Sequence, residues 1–269
     1  MTAVLLSFTL IVLLPFIWMV ILSFKTNAAI LTDPYGLPKG LNFDNYVKLF
    51  TDSRIRFHRY IFNSVVVTFG AILLTLVLSS LGGYGFGRRR FAFKYREQLF
   101  GILLSSLMLP IQSTYIPQFM LMSRYGLLNS RLGLVLLYTA FQVGVSTYLL
   151  KTYYAGLPDE LEESARIDGA SDFTIFLRIM MPLTKPILVS VILLNFLHNW
   201  NELLLAMTMV TRPDLRTLPV AMMNFIGESA SNYAMASAAL VVGMLPLLFL
   251  YVLFADKFVK GLTAGAVKG

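Results

Sequence analysis

Charged residues are placed so unevenly in this chain that they constrain its architecture before anything else does. No Asp, Glu, Lys or Arg occurs in residues 1–24, 60–87, 98–123, 132–150 or 229–255, runs of 24, 28, 26, 19 and 27 residues. A helix needs roughly 20 apolar residues to cross a hydrocarbon layer about 30 Å thick. A sixth stretch, 186–211, is interrupted only by Glu202. Barrel strands would be about 10 residues long with strict alternation, which these runs lack. The expectation is an all-α membrane protein forming a single transmembrane domain over 1–269. Its six spans are read at about 3–24, 61–87, 98–122, 133–150, 186–210 and 233–255, with a long loop at 151–185.

Composition agrees. Hydrophobic types make up 57% of the 269 residues and charged types 13%, against about 45–50% and 25% in soluble domains. That excludes an ordinary soluble enzyme and a disordered chain. There is no cysteine, which removes disulfides, thiolate metal sites and cysteine nucleophiles. The net charge of +8 belongs at bilayer surfaces, so nucleic acid is not an expected partner. The first run lacks a basic region before it and a small-residue cleavage site after it, and reads as a retained span rather than a signal peptide.

Six spans put both termini on one side. If that side is cytoplasmic, inside segments carry twelve basic residues and outside segments ten, a weak positive-inside bias. The densest cluster is Arg88-Arg89-Arg90 with Lys94 and Arg96.

The loop at 151–185 parses into two short helices. Pro158 suits a first turn, and Asp159, Glu160, Glu162 and Glu163 favour a helix N-terminus by charge–dipole attraction. Leu157, Leu161 and Ala165 recur at four-residue steps and share a face. Gly169 is a left-handed stop, and Ser171 caps a second helix. In that helix Phe173, Phe176, Leu177 and Met180 follow the helical period, and Pro182 and Pro186 break it before the fifth span. Such a helix pair either packs on its own domain or docks a soluble partner.

Glu163-Ser164-Ala165, Asp168-Gly169-Ala170, Phe176, Ile179, Pro182 and Pro186 resemble the EAA loop of ABC-importer permeases. The middle Ala of that motif is Ser164 here. Further similarity to the carbohydrate-uptake branch lies in Pro15–Met19, Ser23–Lys25, Asn63-Ser64, Gly126-Leu127, Asn199-Trp200-Asn201-Glu202 and the tail Gly261–Gly269. Within that branch the chain is most similar to the second permease of maltose-type transporters. The resemblance implies a type I ABC-importer permease fold in a bacterial or archaeal cytoplasmic membrane, with both termini and the 151–185 loop cytoplasmic. It implies a second permease, two ATP-binding subunits and an extracytoplasmic solute-binding protein as partners, besides lipid. Leu161, Glu163, Ser164, Ala165, Asp168, Gly169 and Ala170 would then couple to the ATPase. Glu163 would offer a carboxylate, Asp168 and Gly169 the turn, and Leu161 and Ala165 apolar contact. The tail, with Gly265 and Lys268, would make a second contact, although a solvated end has the same composition.

No G-x-x-x-x-G-K-[ST] occurs, so ATP-Mg is expected on a partner and no cofactor on this chain. Gly83 and Gly87, four apart, suit close helix packing. His58 and His198 show no metal spacing, and no G-x-S-x-G occurs; neither a metal site nor catalysis is expected.

Glu202 is the one acid inside a span, and such a carboxylate is a functional candidate by default. With Asn199, Trp200 and Asn201 it offers groups suited to sugar hydroxyls and stacking; Tyr115 and Gln118 join the candidate path. Interhelical hydrogen bonding explains each of them as well. Pro110 and Pro117 can kink the third span. The competing reading is a gradient-driven secondary transporter using Glu202 as its ion site. Residues 25–59 form an outer loop that either touches a binding protein or roofs the bundle.

Overall fold

A computed structural model of the chain describes residues 1–227 and 232–266, and the side chains of all of these except residues 3, 224–227 and 255–266. Every regular element among the described residues is helical. The helices are α1 (Thr2–Ser23), α2 (Asn27–Thr32), α3 (Asp44–Thr51), α4 (Phe57–Gly87), α5 (Arg96–Ser105), α6 (Tyr115–Arg124), α7 (Arg131–Ala155), α8 (Glu160–Ile167), α9 (Asp172–Ile175), α10 (Met181–Leu183), α11 (Lys185–Asn201), α12 (Leu204–Met209), α13 (Leu218–Gly227) and α14 (Tyr233–Ala266). Short 3-10 turns link several of them.

Among the described residues, four helical stretches are long and apolar enough to cross a membrane: Val4–Ser23, Phe57–Gly87, Arg131–Ala155 and Tyr233–Phe254. Two bent pairs bring the number to six if each counts as one span. In the first pair, Arg96–Met108 meets Ile111–Arg124 at 99°. Pro110 explains the break. It has no N–H to continue the ladder, and its ring pushes Leu109 out of the helical region, to ψ 126°. Pro110 therefore breaks the run instead of kinking it, whereas Pro117 sits harmlessly in the first turn of α6. In the second pair, Asp172–Leu183 meets Lys185–Asn201 at 76°. That break falls at Thr184, between Pro182 and Pro186. Pro182 itself stays helical, preceded by a π-helical turn at Phe176–Met180 that re-routes the backbone bonds a proline cannot make.

The chain divides into two compact units. One comprises residues 1–64 and 210–249, the other 65–209 and 250–269. In the first unit, the most apolar stretch of α1 has no buried residue, as suits a helix that is apolar all round, while Ser23 at its end is buried. The loop after it is braced to its end. The Lys25 ammonium is buried and donates to the carbonyls of Asp33 at 2.6 Å and Gly36 at 2.7 Å. The Asn45 amide donates to Ser23 O and Lys25 O at 2.8 and 2.9 Å. Asn63 donates to Asp214 O and Arg216 O, and Ser64 Oγ accepts from the Leu218 amide at 2.8 Å, which fixes the start of α13.

In the second unit, α4 lies tightly on α7. A Cβ on Gly83 would stand 2.7 Å from Leu150 Cβ, and one on Gly87 2.9 Å from the Lys151 carbonyl. Only glycine permits that approach. Gly85, on another side of the helix, meets nothing within 4 Å. The spacing of Gly83 and Gly87 is thus a packing device.

Candidate functional site

The close approach at Gly87 determines what comes next in the chain. It delivers Arg88, the first residue beyond α4, to the C-terminal end of α7. Carbonyls of a helix's last turn have no partner within the helix, and Arg88 serves one of them together with two in the link that follows. Its Nη1 donates to Tyr154 O at 3.0 Å and Leu157 O at 2.7 Å, and its Nη2 to Pro158 O at 3.3 Å. Nη2 also meets Asp159 at 2.5 Å, and Nε lies 2.7 Å from Glu162. The Nε–Glu162 contact is ionic rather than a well-directed hydrogen bond. The Arg88 and Glu162 side chains are only 2% and 4% exposed. Arg88 thereby joins the end of α7 to the start of α8.

Helix α8 begins at Glu160 with three acids in its first turn, where the helix dipole favours them. Glu162 also pairs with Arg166 one turn on, at 3.0 Å. The helix stops at a glycine turn. Gly169 has φ +81°, its amide donates to Arg166 O, and the Ala170 amide donates to Ala165 O, both at 2.9 Å. That pair of bonds is the Schellman arrangement. Ser171 Oγ then accepts from the Thr174 amide and starts α9. Asp172 reaches Arg90 at 3.0 Å and Arg166 at 3.5 Å.

The two faces of α8 differ. Ala165 is buried with Tyr84, Leu150, Tyr154, Ile175, Phe176 and Met180. It is a seat within its own chain, so of the two expected apolar contacts Leu161 is the exposed one. Leu157 packs at the same cluster. The outward face carries Leu161, Glu163, Ser164, Ile167 and Asp168, with Gly169 also exposed and Ala170 half-buried. Ile167 is 87% exposed. Glu163 forms no ion pair or side-chain hydrogen bond among the described residues. Exposed Ile167 was not singled out in sequence, nor were Arg88 and Glu162 as a pair. The i,i+4 spacing of Glu162 and Arg166 was the one visible trace.

The six polar candidates in the spans separate. Tyr115, Asn201 and Glu202 line one cavity of about 380 Å³, with Gln112, Tyr138 and His198 on the same wall. Asn199 and Trp200 do not face it. Both are buried, and Trp200 stacks on Phe196 at 5.4 Å and 13°. Neither amide atom of Asn199 has a hydrogen-bond partner among the described residues. Gln118 donates to Thr114 Oγ1 along its own helix at 2.8 Å. Glu202 ends α11, and its carboxylate accepts from the amides of Leu205 at 2.8 Å and Ala206 at 2.9 Å and from the Tyr138 hydroxyl at 3.1 Å. It thus caps α12 and ties the break to α7. Gly265 falls within the α14 backbone, while Lys268 lies outside the described residues.

Several helices long and apolar enough to cross a membrane, with a braced, charged surface helix among them, suit a transport protein, and known proteins agree. Residues 79–263 match the family described as binding-protein-dependent transport system inner membrane component, and the chain belongs to that family. The diacetylchitobiose uptake system permease protein NgcG of Streptomyces coelicolor is 32% identical over 99% of this chain and 87% of that protein. The trehalose/maltose transport system permease protein MalG of Thermococcus litoralis is 34% identical over 97% of this chain and 93% of its own length. A chain from the crystal structure of a bacterial ABC transporter that imports the acidic polysaccharide alginate superposes with a TM-score of 0.81, at 25% identity and over 96% and 95% of the two chains. The protein is accordingly a multi-pass membrane transport subunit of the ABC-importer permease fold, not an enzyme. The gradient-driven alternative built on Glu202 finds no support in this family, whose transport depends on a binding protein.

Proposed function

We propose that this chain forms half of a carbohydrate import pathway and receives its drive through α8. The observation that carries the reading is the two-sided helix: an outward face of Leu161, Glu163, Ser164, Ile167 and Asp168 on a body that buried Arg88 holds by ion pairs to Asp159 and Glu162 and by a hydrogen bond to the end of α7. A short helix with a mixed charged and apolar face fits a groove on a soluble partner. On this reading two ATP-binding subunits carry ATP-Mg, and α8 seats in one of them, with Glu163 offered to a basic residue. A second permease completes the pathway and a solute-binding protein delivers the substrate. Both termini and the 151–185 loop lie in the cytoplasm. The tail through Gly265 and Lys268 makes a second contact with the ATPase pair.

The relatives named for diacetylchitobiose and for trehalose/maltose support a carbohydrate substrate. Tyr115 and Asn201 offer hydroxyl and amide groups to a sugar from the cavity wall. Glu202 serves there as a structural cap, and Asn199, Trp200 and Gln118 shape the helices behind it.

Uptake of labelled oligosaccharides into proteoliposomes holding the whole complex and its binding protein tests the proposal. Import should stop when the ATPase subunit is replaced by a hydrolysis-deficient variant. Glu163→Arg should lower import by at least about tenfold, the loss of one charge-assisted contact of about 1.5–3 kcal/mol. Import that persists without ATP hydrolysis would overturn the proposal.

A further inference from the structure

The ion pairs around α8 are unequal. Arg90–Asp172 joins side chains 46% and 41% exposed, and pairs of that kind contribute little because water and salt screen them. Arg88 is different. It is 2% exposed, and its guanidinium meets Asp159, Glu162 and the carbonyls of Tyr154, Leu157 and Pro158 at once. Those partners belong to three consecutive pieces: the last turn of α7, the 156–158 link and the first turn of α8. The Arg96 guanidinium in turn donates to the Arg88 carbonyl at 3.1 Å, which fixes the backbone that carries the group.

We propose that Arg88 is the positioning residue that makes α8 move as one body with α7 and the end of α4, so that a load applied to α8 reaches the membrane helices. The inference rests on α8 being the docking element but does not depend on which partner loads it. Without Arg88, no cation joins the end of α7 to the first turn of α8 among the described residues. What remains is the local backbone turn of Gly156 and Leu157, the apolar seat of Ala165 and Leu157 against Tyr84 and its neighbours, and the half-exposed pairs of Asp172. A seat of that kind keeps α8 folded down yet leaves it free to rock. Lysine cannot replace arginine here, because a compact ammonium with three donors cannot hold two carboxylates and three carbonyls placed around a planar fork. The residue acts through α8 and touches neither substrate nor nucleotide.

The chain has no cysteine, so labels can be placed cleanly. Ile167→Cys on α8 and Tyr148→Cys on α7 carry spin labels, in the full complex in nanodiscs with cysteine-free partner subunits, and the distance distribution is read with and without ATP. With Arg88 present the distribution should be narrow and unmoved by ATP. Arg88→Met should broaden it about twofold and make it ATP-sensitive, with Arg88→Lys intermediate, as expected when a buried fork contact is lost. Where Arg88→Met fails to fold, Glu162→Gln, which keeps the shape and removes the charge, should broaden it in the same way. A distribution as narrow in these variants as in the unsubstituted chain overturns the proposal. ATPase subunits in the purified complex are scored separately. Their absence would remove the docking role of α8, while the widths measured without ATP would still decide the role of Arg88.

Discussion

Gly169 and Glu202 show how much of this protein turns on single backbone requirements. A left-handed residue with a side chain costs about 1–2 kcal/mol, and Gly169 sits at φ +81° with open space around it. Gly169→Ala should therefore raise hydrogen exchange at the Gly169 and Ala170 amides by about tenfold, the equivalent of about 1.4 kcal/mol; Gly169→Asn should do less, since Asn tolerates that region. Glu202 separates two roles by chemistry. As a cap it needs an acceptor, so Glu202→Gln should keep import within a few-fold, while Glu202→Ala should cost about 0.5–2 kcal/mol in denaturation of the purified protein. An ion-coupling carboxylate would give the reverse, with Gln abolishing import. The turn at Gly169 was legible in sequence because glycine after a helical run has one common use. Glu202 was legible as unusual but not as a cap, because its partners Tyr138 and Leu205 are set by the break at 202–203, which hydropathy does not mark.

Elements meet here through small residues and prolines. Gly83→Ala should destabilise the purified protein by about 1–3 kcal/mol, since its Cβ would overlap Leu150 and overpacking of that kind is not relieved cheaply. Gly85→Ala, facing open space, should be neutral or slightly stabilising. Thermal unfolding in one detergent checks both, and equal effects at the two positions would sink the close α4–α7 contact. Charge-free runs showed where apolar helices lie because lipid tolerates little else. They could not show that 98–123 folds as two half-helices at 99°, since hydropathy is blind to direction and only Pro110 hinted at it. The face of α8 was half legible: the four-residue spacing of Leu157, Leu161 and Ala165 found a stripe, but Ala165 and Leu157 pack inward while Leu161 stays exposed. Arg88 was hidden for a related reason. In sequence it is one of three adjacent arginines, and only the tertiary contact enabled by Gly87 distinguishes the buried one from its exposed neighbours.

For the whole molecule, scarce charge carries more information than abundant hydrophobicity. Six acids, Asp159, Glu160, Glu162, Glu163, Asp168 and Asp172, lie in one loop. Three of them, Asp159, Glu162 and Asp172, are bound internally by arginines, which leaves Glu160, Glu163 and Asp168 exposed. Membership of a binding-protein-dependent transport family fits a division of labour in which this chain forms the path and another subunit supplies the energy. Docking through α8 is the most directly testable part of that picture. A photo-crosslinking residue at Ile167, 87% exposed on α8, would be activated in native membranes and its adduct identified by mass spectrometry. Docking predicts an adduct with a nucleotide-binding ATPase subunit, reduced by Glu163→Arg. Adducts confined to lipid or to the solute-binding protein, with the ATPase subunit present in the same membranes, would contradict it.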